Sequence, residues 1–459
     1  MNASPLHRAV PAPPVRIVHL GLGAFSRSHT AWYTHSSPDS ADWGISAYTG
    51  SSRELSDRLT AQDGLYTLIE RDDQGDRHEV ITSISRAQRG DDIPSLLTDL
   101  TAPETAIITL TITELGYCLT SDGEPDFDDP RVARDRDELR SVADGRLSLA
   151  EARPVTAPGR LLLGLESRRR AGGGPLAVLS CDNLPDNGGR LRHGLTEWAA
   201  RAAPDLALWI EDNVSFVSSS VDRITPRISS NQEEVLRETY GDLAPVVAEP
   251  FRDWVISGSF PAGRPAWEGA GARFVDDLEP WEARKLWLLN GAHTLLACLG
   301  LLRGHATVAD AIRDPVCRSA VEEFWNDAES ALPAGLGLPA YRAALVSRFA
   351  NPRIEHLLSQ IVQDSSTKVR LRVAPVAEIA LANGRDARGC ALAVASWIVA
   401  QGTGLIPGAS AEHVAHESVA SSIGQLGEVL AADRGFVSRV LELVTTLSSR
   451  RSTEIWDRM

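Results

Sequence analysis

The chain has 459 residues, which is too long for one ordinary core and suits two domains. Hydrophobic residues make up 43% of it, as is typical of soluble globular proteins. Its 46 Lys and Arg against 61 Asp and Glu leave a net charge of −15, which argues against nucleic acid or an anionic membrane as a partner. No uninterrupted apolar run approaches the length of a membrane span, so no membrane is expected.

The cysteines and histidines bear on compartment and metal content. Five cysteines are scattered along the chain: Cys118, Cys181, Cys298, Cys317 and Cys390. Their odd number and the lack of CxxC spacing favour reduced thiols, so we expect a cytoplasmic protein without a structural zinc site. His413 and His416 in EHVAHE are three residues apart, but no third ligand motif accompanies them. We therefore predict a solvated helix face there and no metal.

The first predicted element is a strand over residues 15–20 in VRIVHLGLGAF, followed by Gly21 and Gly23. A β-branched run that ends in a tight glycine turn fits a buried parallel strand. The next stretch, SRSHTAWYTHS, predicts a helix that Ser26 or Ser28 can cap. Strand, turn and helix together form a phosphate cradle. The GxGxxG fingerprint is incomplete, because Ser26 stands at its third glycine.

Four more strands are predicted along the first half. They are WGISAY at 43–48, AIITLTIT at 106–113, PLAVLSCDN from 175 and VSFVSSSVDR from 214. Helical stretches lie between most of them, which indicates an α/β fold with a doubly wound, mostly parallel sheet. The polar clusters TELGY, CDN and VDRITP follow several of these strands. Ligands of such sheets lie beyond the carboxyl ends of the strands, so a cofactor site is expected there.

The stretch after the second strand, TGSSRELSDR, bears on the choice of nucleotide. NAD-specific folds usually place an acid at the end of this strand, and none precedes Glu54 here. Ser51, Ser52 and Arg53 can instead receive a 2′-phosphate. The residues alone therefore leave NAD and NADP open.

The texture changes near residue 277, after which helical periodicity dominates. We predict a Rossmann-type dinucleotide-binding domain over 1–276 and a mainly α-helical substrate and catalytic domain over 277–459. In the second, QDSSTKVRLR carries Lys368, Arg370 and Arg372, which alternate like a short strand or extended loop. Without further information this segment is interpreted as a solvated basic patch.

The apolar segment KLWLLNGAH, residues 285–293, carries Lys285, Asn290 and His293. On an α-helix of about 100° per residue, Asn290 and His293 lie roughly 140° and 80° from Lys285, so all three share a broad side. Burial lowers the pKa of a Lys, which makes Lys285 a candidate general base. The alternative is a helix whose Lys extends to solvent and whose Asn and His bond to the backbone.

Six blocks of the chain, in order, resemble the mannitol dehydrogenase family of polyol-specific long-chain dehydrogenases. They are GLGAFSRSH, TLTITELGY, SCDNLPDNG, VDRITP, GRPAWEGAGARFVDD and KLWLLNGAH, and DSSTK is similar to a DGSxK-type block. The resemblance covers nearly the whole chain. It implies a metal-independent oxidoreductase that interconverts a mannitol-like sugar alcohol and its ketose with NAD, NADP not being excluded. It also implies a monomer.

The resemblance implies catalytic roles for four residues. Lys285 would be the general base that takes the proton from the carbinol oxygen. Asn183 and Asn290 would donate hydrogen bonds to that oxygen, and His293 would orient the substrate. Two further observations favour Lys285 as the base: none of the six Tyr is followed by Lys four residues later, and no Cys/His cluster suits a catalytic zinc.

The resemblance also implies binding residues. The cofactor site would comprise Gly21, Gly23, Phe25, Arg27 and Glu114. Asp222 and Lys368 would hold the rest of the polyol. Gln360, eight residues before Lys368, stands where mannitol-type members can carry Arg, so it is assigned to the substrate site and puts mannitol itself in doubt.

Other functions stay open. Fructuronate, reduced to mannonate, needs a cation for its carboxylate, which Lys368 or Arg370 can supply. Mannitol 1-phosphate, the substrate of a 5-dehydrogenase, needs more positive charge than any obvious cluster here provides. A non-catalytic nucleotide-binding sensor would need only the cofactor turn, so the retained catalytic set argues against it.

Overall fold

The computed structural model describes residues 6–50, 52–354, 356–406 and 416–449. Ser51, His413 and the side chain of His416, which carry predictions above, lie outside the described residues. Backbone contacts divide the chain into two compact units, Met1–Leu278 and Glu279–Met459. The predicted boundary, between 276 and 277, lies two residues before this division.

The described part of the first unit contains eleven strands. They are β1 (Val15–Leu22), β2 (Gly44–Thr49), β3 (Tyr66–Asp72), β4 (Gly75–Ile81), β5 (Ile84–Gln88), β6 (Ile107–Leu110), β7 (Leu176–Ser180), β8 (Val214–Asp222), β9 (Val246–Ala248), β10 (Asp253–Ser257) and β11 (Arg273–Phe274). The five predicted strands are confirmed as β1, β2, β6, β7 and β8.

Eight strands form the main sheet, in the order β11-β10-β8-β7-β6-β1-β2-β5. From β5 to β8 every pairing is parallel, and β10 pairs antiparallel to β8. The stretch β5-β2-β1-β6-β7-β8 has the 3-2-1-4-5-6 order of a Rossmann sheet, so the predicted fold class is confirmed. The strand order reverses between β1 and β6, which is where such sheets bind dinucleotides.

Nine helices of the first unit complete the fold among its described residues. They are α1 (Ala24–Ser28), α2 (Thr30–His35), α3 (Arg53–Thr60), α4 (Ile93–Thr101), α5 (Pro130–Ala143), α6 (Ala157–Arg170), α7 (Asn187–Ala202), α8 (Pro204–Asn213) and α9 (Ser230–Tyr240). Alternate residues of β1 enter different cores: Val18 and Leu20 pack in one, Ile17 in the other. Because successive strand residues point to opposite faces, the sheet is covered on both sides.

A second sheet was not predicted. It contains three strands in the order β4-β3-β9. β3 and β4 form a hairpin whose turn is held by Asp72, whose Oδ1 accepts the amides of Gln74 and Gly75 at 2.8 and 3.0 Å. β4 has five exposed residues in a row, four of them polar, so its sequence does not stand out as a strand.

The second unit is helical, as predicted. Its helices are α10 (Glu279–Arg284), a π-helical segment (Lys285–Gly291), α11 (Ala292–Leu302), α12 (Val308–Arg313), α13 (Pro315–Ala331), α14 (Leu338–Phe349), α15 (Leu358–Ile361), α16 (Ser365–Arg372), α17 (Ala374–Ala382), α18 (Arg388–Gly402), α19 (His416–Leu426), α20 (Glu428–Ala432) and α21 (Arg434–Ser449).

One prediction about this unit is wrong. QDSSTKVRLR is not extended, because Ser365–Arg372 forms α16. On a strand Val369 and Leu371 would share a face, whereas here Val369 is fully buried and Leu371 is 52% exposed. Five alternating residues are too few to separate a strand from one side of a short helix.

The continuous helix Glu279–Leu302 bears on the expectation that no segment of the chain is apolar enough to span a membrane. By length and composition alone it could cross a membrane, although the sequence contains no uninterrupted apolar run of that length. Of its most apolar window, 67% is buried inside the protein, and core helices of soluble proteins pass the same test.

Candidate active site

The glycine turn at the end of β1 requires glycine at position 21. Its φ is +104°, and a Cβ there would lie 2.2 Å from the carbonyl oxygen of Thr111. The helix begins earlier than predicted: α1 starts at Ala24 with Gly23 as N-cap, so Ser26 and Ser28 are not the caps. Ser26 instead accepts the Gly23 amide through Oγ at 3.0 Å, from inside the first turn.

The turn leaves room for a ligand to approach its backbone. A Cβ at Gly23 would meet nothing nearer than the Gly21 carbonyl oxygen, 3.7 Å away. The turn follows β1 at the β1/β6 switch point, and Glu114 is exposed in the 3₁₀ turn Glu114–Tyr117 after β6. A tight turn, an open glycine and the switch point together fit the pyrophosphate of a dinucleotide. Phe25 is half-buried and its ring stacks on His29, with centroids 4.9 Å apart.

A buried histidine that the sequence analysis missed supports this turn from below. His19 in β1 lies 2.8 Å from the Thr109 hydroxyl through Nδ1 and 3.0 Å from the Thr111 hydroxyl through Nε2. Thr111 in turn donates to the Gly21 carbonyl at 2.8 Å. Burial lowers the pKa of His19 to about 4, so its ring is neutral at neutral pH.

Arg27, predicted in the cofactor site, points into the protein. Its Nε donates to the Gly23 carbonyl at 3.1 Å, and its Nη1 donates to the Ala244 carbonyl. The guanidinium also lies over the ring of Tyr66, 5.4 Å from the centroid. These contacts make Arg27 a brace behind the turn, and direct contact with a nucleotide stays a prediction.

The residues proposed for a 2′-phosphate already have protein partners. Ser52 is the N-cap of α3 and accepts the Leu55 amide at 3.5 Å. Arg53 donates to Asp91 at 2.7 Å on an exposed surface. The structure therefore shows no dedicated phosphate site among Ser52 and Arg53.

Asn183 lies exposed in the loop after β7. The neighbouring Asp182, known from the sequence only as part of the polar cluster CDN, holds this loop. Its carboxylate accepts the Tyr117 hydroxyl and, at 2.9 Å, the Leu184 amide. Burial raises the pKa of Asp182, and the hydrogen bond from Tyr117 opposes that shift. Tyr117 follows β6, so two adjacent strand ends position Asn183.

Asp222 is buried at the end of β8, and the next residue anchors the strand end. Arg223 donates to the carbonyls of Ser28 at 2.5 Å and Glu249 at 3.0 Å, and to the Glu70 carboxylate at 2.5 Å. The VDRITP block thus combines a predicted substrate residue with a structural arginine.

The segment KLWLLNGAH is not α-helical as assumed. Residues Lys285–Gly291 form a π-helix between α10 and α11. In a π-helix the backbone bond joins residues i and i+5, so Lys285 and Asn290 lie one turn apart. π-helical turns are rare and occur often at functional sites. The hydrophobic pattern could not reveal this, because the same residues suit an α-helix.

Side chains satisfy carbonyls of the π-helical segment. The Trp325 indole N–H donates to the Leu288 carbonyl at 2.8 Å, in the core. The Thr294 hydroxyl donates to the Asn290 carbonyl at 3.0 Å. A Cβ on Gly291 would lie 2.6 Å from the Phe324 ring, so this position requires glycine.

His293 is buried beside aromatic and cationic groups. Its ring centroid is 4.6 Å from that of Phe349 and 4.9 Å from that of His356. Burial, followed by the effects of His356, Arg348 and Arg372, lowers the pKa of His293 well below its usual value. The neutral ring has a buried Nε2 without a hydrogen-bond partner in the described part of the chain. Its contact with a substrate hydroxyl stays a prediction.

The remaining predicted substrate residues differ in availability. Lys368 donates through Nζ to the carbonyls of Ile361 at 2.9 Å and Gln363 at 2.6 Å. Gln360 is exposed on α15. Arg372, which had been assigned to a basic patch, is half-buried and donates to the Asn290 carbonyl.

One cluster in the described residues has metal-ligand composition: His305, Asp314 and Cys317. Arg303 donates to the same Asp314 oxygen that His305 contacts, at 2.5 Å. This guanidinium neutralises the carboxylate, and burial raises the pKa of Cys317 to about 12. The cluster therefore fits an ion-paired cap of α13 better than a metal site.

Comparison with known proteins identifies the family. A model of the mannitol dehydrogenase Rossmann domain matches residues 15–269, and one of the mannitol dehydrogenase C-terminal domain matches residues 277–402. The chain belongs to the mannitol dehydrogenase family. It is thus a dehydrogenase, and the predicted family is confirmed.

Similar proteins cover most of the chain. D-mannonate oxidoreductase of Escherichia coli K12 is 36% identical over 396 residues, which are 83% of this chain and 79% of that protein. A substrate-free D-sorbitol dehydrogenase structure has a TM-score of 0.85 and 29% identity, covering 97% of this chain and 95% of its own. The Pseudomonas fluorescens mannitol 2-dehydrogenase ternary complex with NAD and D-mannitol has a TM-score of 0.73 and 31% identity, covering 95% and 92%.

Proposed function

We propose that this protein is an NAD-dependent oxidoreductase, with NADP not excluded, that interconverts a sugar alcohol and its ketose using Lys285 as the general base. The observation that carries the proposal is the π-helical segment, which sets Lys285 and Asn290 one turn apart. Support also comes from the relative whose structure contains NAD and D-mannitol. The protein acts as a cytoplasmic monomer in this proposal.

The proton chemistry belongs to Lys285. In the oxidation of the alcohol its neutral amine takes the proton from the substrate hydroxyl, and in the reverse direction the ammonium returns it. The amide groups of Asn290 and Asn183 donate hydrogen bonds to the same oxygen as negative charge develops on it. Amide donors suit this task because they stabilise the oxyanion without becoming charged. NAD supplies the acceptor for the hydride that leaves the carbinol carbon.

Substrate orientation falls to His293 and the polyol-binding residues. Because the His293 ring is neutral, it can bond to a substrate hydroxyl without competing with Lys285 for the proton. Asp222, Lys368 and Gln360 hold the hydroxyls farther from the reacting carbon. Gly21 and Gly23, with Phe25, Arg27 and Glu114 around them, form the cofactor turn.

A substrate panel tests the proposal. Consumption of NADH and of NADPH is followed with D-fructose, D-fructuronate and D-fructose 6-phosphate as parallel substrates. We expect turnover of at least one keto-sugar with one of the two nucleotides. If NADH binds and none of the sugars reacts, the proposal fails and the non-catalytic sensor is supported.

A further inference from the structure

Arg372 ends α16 beside a predicted catalytic residue. Its Nη1 donates to the Asn290 carbonyl at 3.4 Å and to the Thr294 hydroxyl at 3.2 Å. Both partners are neutral, and no carboxylate of the described residues pairs with this guanidinium. Burial lowers the pKa of Arg372, which reflects a charge removed from water without a counter-ion.

Arg168 in the first unit shows what a purely structural buried arginine looks like in this protein. It also lacks a carboxylate, but all three of its guanidinium nitrogens donate to carbonyls: Nε to Gly174, Nη1 to Leu100 and Ala102, and Nη2 to Thr105. Arg372 uses Nη1 alone. Its Nε and Nη2 are not among the buried, unpartnered atoms, so both reach accessible space.

The other cations of this segment are less suited to an anion. Lys368 directs Nζ to the carbonyls of Ile361 and Gln363. Arg370 is exposed on the same helix. The two cations that the sequence favoured are therefore a committed donor and a surface side chain, whereas Arg372 is half-buried and adjoins Asn290.

We propose that Arg372 is a specificity-determining residue that binds a carboxylate of the substrate, so that the sugar accepted by this site is a keto-sugar acid. Nε and Nη2 form the fork that binds a planar carboxylate through two parallel hydrogen bonds. Such a pair supplies the missing counter-ion. The inference rests on the proposed function: the hydride transfer is the same, and only the far end of the substrate is specified.

The test compares an acidic, a neutral and a phosphorylated keto-sugar with Arg372 variants. Values of kcat and KM are measured for D-fructuronate, D-fructose and D-fructose 6-phosphate with wild type, Arg372→Met and Arg372→Lys. Arg313→Met is the matched control, because Arg313 also donates to a backbone carbonyl, of Ala350 at 2.7 Å. Arg370→Met tests the rival cation.

We expect wild type to prefer D-fructuronate. Arg372→Met should lower kcat/KM for this acid about 100-fold, mainly through KM, and leave D-fructose within about threefold. The kcat/KM of Arg372→Lys for D-fructuronate should lie between those of wild type and Arg372→Met, because lysine keeps the charge and loses the two parallel donors. Arg313→Met and Arg370→Met should match wild type with every sugar.

Three outcomes overturn the inference while the proposed function stands. The first is an equal loss of kcat/KM with D-fructuronate and D-fructose in Arg372→Met, which indicates a purely structural role. The second is a loss of D-fructuronate turnover in Arg370→Met alone. The third is a wild-type preference for the phosphorylated or the neutral sugar. Failure of wild type to reduce any of the three sugars would instead refute the proposed function.

Discussion

Lys285 and Asn290 are five residues apart and are separated by one turn of a π-helix, the repeat that joins residues i and i+5. On an α-helix the same pair would diverge by roughly 140°. The local widening therefore turns a scattered pair into neighbours on one side. The proposed base and the proposed oxyanion donor can then reach the same substrate oxygen from a single element.

The hydrogen bond from Trp325 to the Leu288 carbonyl should stabilise the π-helical segment. Trp325→Phe leaves that buried carbonyl without its donor, which should cost about 1–3 kcal/mol beyond the change in packing. Trp397→Phe is the matched control, because Trp397 is equally buried and its indole nitrogen has no partner in the described residues. Urea unfolding of both variants gives the comparison. Equal losses of stability would show that the bond contributes nothing.

The two glycines of the cofactor turn should respond differently to alanine. Gly21→Ala places a Cβ against the Thr111 carbonyl at a positive φ, so the free energy of unfolding should fall by about 2 kcal/mol or more. The Cβ of Gly23→Ala makes only an ordinary van der Waals contact, 3.7 Å from the Gly21 carbonyl oxygen, so stability should change by less than about 1 kcal/mol. NADH binding, measured by fluorescence titration, should nevertheless weaken in Gly23→Ala. Unchanged binding there would contradict the placement of the nucleotide.

His19 should make stability depend on pH. Its pKa in the folded protein is about 4, below the usual histidine value of 6.5, so the unfolded chain takes up the proton first. The stability that neutral His19 contributes is complete above pH 6.5 and is lost as pH falls towards 4, by about 3 kcal/mol. Unfolding of wild type and His19→Gln is compared at pH 7.5 and 4.5. A variant that loses as much stability as wild type would refute this assignment.

Tyr117 should matter through the loop that carries Asn183. Tyr117→Phe removes the hydroxyl that donates a hydrogen bond to Asp182. The loop that carries Asn183 should then be held less firmly, and kcat should fall about tenfold. NADH affinity should be unchanged. Tyr48→Phe is the control, since it removes a similar bond, from Tyr48 to the Asp99 carboxylate at 2.6 Å, elsewhere in the same unit. If both variants keep full kcat, Tyr117 has only a structural role.

The sequence predicted five of the eight strands of the main sheet, because β1 and β6 are rich in β-branched residues and β2, β6 and β7 are buried throughout. Its motifs also located the glycine turn and the 285–293 segment. It could not separate α from π geometry, since both bury the same side chains. The sequence also could not distinguish the cations of α16. Lys368 donates to backbone carbonyls and Arg372 donates to the Asn290 carbonyl, and these directions depend on how the helix packs.

The role of Lys285 as the base is tested by Lys285→Ala, with kcat measured on the best keto-sugar and the dissociation constant measured for NADH. We expect kcat to fall by about 10²–10⁴-fold, the contribution of a general acid or base, while NADH binds as in wild type. A Lys285→Ala protein that turns over at the wild-type rate would contradict Lys285 as the base and the mechanism built on it.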